Sequence, residues 1–104
     1  MSEPDLHSIK RGWILRFLVL CGFRPIHPRQ LLRELRDKNC PTDWHGLNDY
    51  LTYLEQKGFV TVVRTVMKGD EKIPEEKKIL AVTVTAQGMD FHDNRPADDA
   101  GVIL

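Results

Sequence analysis

Between Pro41 and Thr65 the chain reads PTDWHGLNDYLTYLEQKGFVTVVRT, a helical pattern that stops at Lys57-Gly58 and passes without a spacer into a run of β-branched residues. Leu47, Leu51 and Leu54, with Tyr50 beside them, recur at the spacing of one helix face. Thr42 is the expected N-cap, its hydroxyl accepting from a free amide of the first turn. Gly58 is the expected stop, because a residue without a Cβ enters the left-handed region that closes a helix at little cost. With no loop residues between them, this helix and the strand that follows must pack as one unit.

The flanking segments supply the rest of the pattern. A first helix is expected from Leu6 to Cys21, ending at Gly22. Its later half, WILRFLVLC, is apolar nearly all round, and such a helix has to be covered on more than one side. Two arrangements meet that need. It is either a central core helix of a monomer, or a helix whose second side meets another copy of the chain through Trp13, Leu15, Phe17 and Leu18. Arg24-Pro25-Ile26 is too short for a strand of its own but can add one bridge to a hairpin formed later. His27-Pro28 opens a second helix, since proline at the first helical position gives up an amide that has no partner there. Leu31, Leu32 and Leu35 form its buried stripe, and Arg29, Arg33 and Arg36 recur on the opposite or flanking face. Asn39-Cys40-Pro41 is the turn, with Pro41 biasing Cys40 towards an extended conformation.

After the third helix come FVTVVRTVM and ILAVTVT, separated by KGDEKIPEEKK. They predict an antiparallel hairpin with a long charged loop. The second run alternates, placing Leu80, Val82 and Val84 on one face and Ala81, Thr83 and Thr85 on the other. Thr85 then caps a short last helix through about His92, with Met89 and Phe91 packed inward. A chain of 104 residues is the size of one domain. Residues 1–5 are expected to be loosely held, residues 6–93 to form the domain, and residues 94–104 to be a tail ending in Val102, Ile103 and Leu104.

The order helix, short strand, helix, helix, strand, strand, short helix resembles the winged helix-turn-helix superfamily of small bacterial and phage DNA-binding regulators. The resemblance spans about Leu6 to His92. It is carried by LLRELRDKNCPTDWHGLNDYLTYLEQKGFV and by VTVTAQG at the hairpin's exit. It implies an α+β fold: a three-helix core, a two- to three-stranded antiparallel wing and a short C-terminal helix. It also implies duplex DNA as partner, a homodimer, and a third helix that enters the major groove. Asp43, Trp44, His45, Asn48 and Thr52 would lie on or near that helix's outer face, with Gln56 at its far end. Asn48 suits adenine, His45 and Thr52 suit base edges or phosphate, and Trp44 suits a sugar or thymine methyl. Trp44 equally suits a packing role between the second and third helices. Lys68 and Lys72 in the hairpin loop are candidates for phosphate contacts, or else belong, with Lys77 and Lys78, to a solvated tip whose lysines are cancelled by Asp70, Glu71, Glu75 and Glu76.

Charge divides the functional readings. Fifteen basic and fifteen acidic residues balance, so the chain is no generic polycation. The second helix region carries Arg24, Arg29, Arg33, Arg36 and Lys38 against Glu34 and Asp37. The third carries Lys57 against Asp43, Asp49 and Glu55. Because duplex affinity comes largely from phosphate neutralisation, the second helix is expected to hold the backbone. The alternative is a winged-helix module that docks on another protein. No enzyme is expected, as Gly-rich phosphate loops, GxSxG turns and paired carboxylates do not occur. No metal or cofactor is expected either, since CxxC, HxxxH and HExxH spacings are missing. The start, MSEPDLHSIKRG, lacks the apolar core of a secretory signal. Arg16 breaks the longest apolar run, Trp13 to Cys21, well short of the roughly 20 residues that span a bilayer. A cytoplasmic protein with Cys21 and Cys40 reduced is the expectation.

Overall fold

The computed structural model describes residues 6–66, 69 and 72–94. Within them the chain forms α1 (Leu6–Leu20), α2 (Pro28–Asp37), α3 (Trp44–Gln56), β1 (Val60–Arg64), the single turn α4 (Glu75–Lys78), β2 (Ile79–Val84) and α5 (Ala86–Asn94). β1 and β2 pair antiparallel, with Val60 opposite Val84 and Val62 opposite Val82. Ile26 adds an antiparallel bridge to Val82, its amide donating to the Val82 carbonyl at 2.8 Å and the Val82 amide returning 2.9 Å. The class is α+β, with a small antiparallel sheet laid against the helices. No helix among the described residues is long and apolar enough to cross a membrane.

Helix ends are set by backbone chemistry. α2 and α3 close in the same way. The Asn39 amide donates to the Arg36 carbonyl and the Cys40 amide to Leu35, while the Gly58 amide donates to Glu55 and the Phe59 amide to Leu54. Both closures place one residue in the left-handed region, Asn39 at φ 59° and Gly58 at φ 77°. Asparagine is the side chain that tolerates this region best after glycine, so within the expected turn Asn39-Cys40-Pro41 it is Asn39 that closes α2. At the start of α3 the cap is Asp43, whose carboxylate accepts the Gly46 amide at 2.7 Å. Thr42, the expected cap, stands one residue too early.

The core joins Ile14, Leu15 and Leu18 of α1, Leu31 and Leu35 of α2, Leu47, Tyr50, Leu51 and Leu54 of α3, and Val60, Val62, Val82 and Val84 of the sheet. Leu15 and Leu18 have no exposed surface. That corrects their place in a subunit contact: they belong to the chain's own core. Trp13 and Phe17 are only half-buried, and the apolar surface continues at exposed Leu20 and Phe23.

The junction between α3 and β1 is gripped by the junction between β2 and α5. The Thr85 hydroxyl donates to the Gly58 carbonyl at 2.5 Å and accepts the Gly88 amide at 3.0 Å, so one side chain caps α5 and ties it to the end of α3. The Gln87 amide donates to the Lys57 carbonyl at 2.7 Å. Phe91 stacks on Phe59 with centroids 4.5 Å apart. A Cβ at Gly88 would sit 2.2 Å from the Phe59 carbonyl oxygen, so glycine is required for this approach.

The hairpin departs from the simple alternation. Between Val63 and Arg64 the register slips, with Val63 opposite Ala81 and Arg64 opposite Ile79. Leu80 is the extra residue, and a bulge of this kind turns it out of the ladder. Leu80 is therefore exposed while Ile79, Val82 and Val84 are buried. The expected loop also holds α4, which the run of charges concealed. The Thr65 amide donates to the Lys78 carbonyl at 2.9 Å and the Thr65 hydroxyl to the Lys77 carbonyl, hooking this turn to the end of β1.

Candidate nucleic-acid interface

α2 starts at His27, whose Nδ1 accepts the Arg29 amide at 3.0 Å while the His27 amide donates to the Gln30 side chain at 3.2 Å. This cap orients the helix so that Leu31 and Leu35 face the core and Arg29, Arg33 and Arg36 face outward. The Asn39 turn then brings the start of α3 beside them. The result is a groove lined by Arg29, Leu32, Arg33 and Arg36 from α2, Pro41 and Thr42 from the turn, Trp44 from the start of α3 and Glu76 from α4. It encloses about 620 Å³. Trp44 is half-buried and packs against the core cluster, so its ring joins α2 to α3 and still borders the groove. The packing role expected of it is the one seen.

The three guanidinium groups have no hydrogen bond, ion pair or aromatic ring partner among the described residues. Several other cations do have partners. Arg11 lies 4.0 Å from the Tyr53 ring centroid, Lys38 4.9 Å and Arg16 5.7 Å from that of Trp13. Arg64 pairs with Glu55 at 2.9 Å. Three arginines facing one groove without a carboxylate partner keep their donors available for phosphate, whose oxygens accept such hydrogen bonds strongly.

The outer face of α3 is placed as expected but separately from this groove. His45 is exposed, with Nε2 3.7 Å from the Asp49 carboxylate. Asn48 is half-buried. The Thr52 hydroxyl donates to the Asn48 carbonyl at 2.8 Å, a local bond that occupies its donor. The structure also changes the charge balance of this helix. Asp43 is engaged by the helix start and Glu55 by Arg64 of β1, leaving Asp49 beside His45. Sequence reasoning missed Arg64 because the partner lies nine residues on, across the helix–strand turn. It missed Glu76 because α4 was not foreseen.

Lys72 is exposed and borders a second depression, beneath the hairpin, with Val66, Ile73 and Leu80. Lys68 lies outside the described residues, as do residues 1–5 and 95–104. Cys21 is half-buried, Cys40 is buried, and both are free thiols. Among the described residues no three His, Cys, Asp or Glu side chains come together as a metal site would need. The chain matches no protein-family model, and neither the curated proteins nor the solved structures yield a similar protein.

Proposed function

We propose that the chain is a winged helix-turn-helix protein that binds duplex DNA, with α2 and α3 as the helix-turn-helix and β1–β2 as the wing. The observation that carries this reading is the groove that Arg29, Arg33 and Arg36 line together with Trp44, the three arginines having no partners among the described residues. In this reading the arginines hold backbone phosphates while His45 and Asn48 approach base edges. Thr52 contributes shape, its hydroxyl being engaged. Dimer formation places two α3 helices about one DNA turn apart and favours a near-palindromic site. Trp13, Phe17, Leu20 and Phe23 are among the apolar residues of α1 and its exit that remain accessible for that contact. Titration of a generic duplex over a salt series tests the reading: association that weakens steeply with salt is expected, and no association at low salt refutes it.

A protein-docking module is the second reading. It is favoured by the apolar side chains exposed on the hairpin, Val63, Val66 and Leu80, at 50%, 81% and 53%. Substituting these three by threonine separates the two: duplex binding is retained if the groove carries function.

A further inference from the structure

Glu76 stands between two depressions. On one side is the groove of Arg29, Arg33 and Arg36. On the other is the hollow beneath the hairpin, where His27, Lys72 and Lys77 are the basic residues. Glu76 borders both, is exposed, and forms no ion pair with a described residue. Its carrier, α4, is held at its end by Thr65, whereas its start at Pro74 has no side-chain cap. A carboxylate lining an arginine groove offers those guanidiniums the same kind of acceptor as a phosphate, and the two oppose each other by like-charge repulsion.

We propose that Glu76 is a built-in competitor for the phosphate site. With the groove empty it lines the arginine site without pairing with a described residue, and it turns towards Lys72, Lys77 and His27 when a phosphate enters. Hairpin position and phosphate occupancy are thereby coupled. The inference rests on the phosphate reading of the groove and adds the regulation of that site. It also accounts for an acid placed where a simple polyanion-binding surface would carry none.

The test compares the full chain with Glu76→Gln and Asp37→Asn. Both remove one exposed negative charge near the arginines, but Asp37, four residues after Arg33, does not line the groove. Binding of a generic duplex and of inorganic pyrophosphate is followed by the indole N–H signal of Trp44, and the hairpin by the methyl signals of Ile79 and Leu80. Thermal melting confirms that both variants fold. Glu76→Gln is expected to tighten both ligands by about three- to fivefold, with Asp37→Asn well below that. In the unaltered chain pyrophosphate shifts the hairpin methyls, and in Glu76→Gln the ligand-free signals already lie near the bound position. Equal gains in the two variants, or hairpin signals indifferent to both ligand and substitution, overturn the proposal. If no protein binds duplex, the DNA reading fails by itself. Pyrophosphate then decides: a selective gain in Glu76→Gln upholds the competitor, and no gain or no binding overturns it.

Discussion

Two groups of cations in this molecule are used in opposite ways. Arg11, Arg16, Lys38 and Arg64 lie over aromatic rings or beside a carboxylate, at 4.0 Å from the Tyr53 centroid for Arg11 and 2.9 Å from Glu55 for Arg64. Arg29, Arg33 and Arg36 have no such partners among the described residues. The first group links α1, α2, α3 and β1 through these contacts, and Arg64 has its charge compensated by Glu55. The second makes no such contact with the described residues, so its removal should leave the fold intact. The same residue type, arginine, thus serves cohesion on one surface and is available for a ligand on the other.

That contrast can be broken by variants that should affect binding and stability independently. Replacing Arg29, Arg33 and Arg36 together by glutamine is expected to weaken duplex binding by about a hundredfold at moderate salt. The melting temperature should stay within a degree or two of the parent, and a large fall in stability would merge the two groups. The opposite outcome is expected at the clamp between α3–β1 and β2–α5. Gly88→Ala forces a Cβ against the Phe59 carbonyl and should lower stability by about 2–3 kcal/mol in denaturant unfolding. Duplex affinity of the folded fraction should be unchanged. Arg11→Gln is milder: losing the contact with Tyr53 should cost about 0.5–1 kcal/mol, again with no change in affinity measured by fluorescence anisotropy.

Much of the fold was legible in the sequence because local chemistry agreed with tertiary packing. The stripe Leu47, Tyr50, Leu51, Leu54 is buried, Gly58 is left-handed, Ile26 makes its single bridge, and Thr85 caps α5. What escaped was set by neighbours distant in sequence or by a choice between adjacent candidates. Asp43, one residue after the expected Thr42, is the cap of α3, a choice between adjacent candidates that sequence alone does not decide. Leu80 left the buried face because a bulge in its pairing with β1 shifted the register, which no property of ILAVTVT alone reveals. Leu15 and Leu18 were ambiguous between core and subunit contact, since an apolar stripe does not specify what covers it. For the candidate site, periodicity placed the three arginines on an outer face. Their convergence with Trp44, and the presence of Glu76, depended on the α2–α3 turn and on α4.

The central claim is that Arg29, Arg33 and Arg36 engage phosphate directly. The measurement that tests it most directly is the dependence of duplex affinity on salt for the parent chain and the triple glutamine variant. Each phosphate contact releases about 0.9 counterions from B-form DNA. The slope of log affinity against log salt should therefore shrink in magnitude by about 2.7 when all three arginines are replaced. Equal slopes for the two proteins would contradict the account, because the groove would then hold no phosphate.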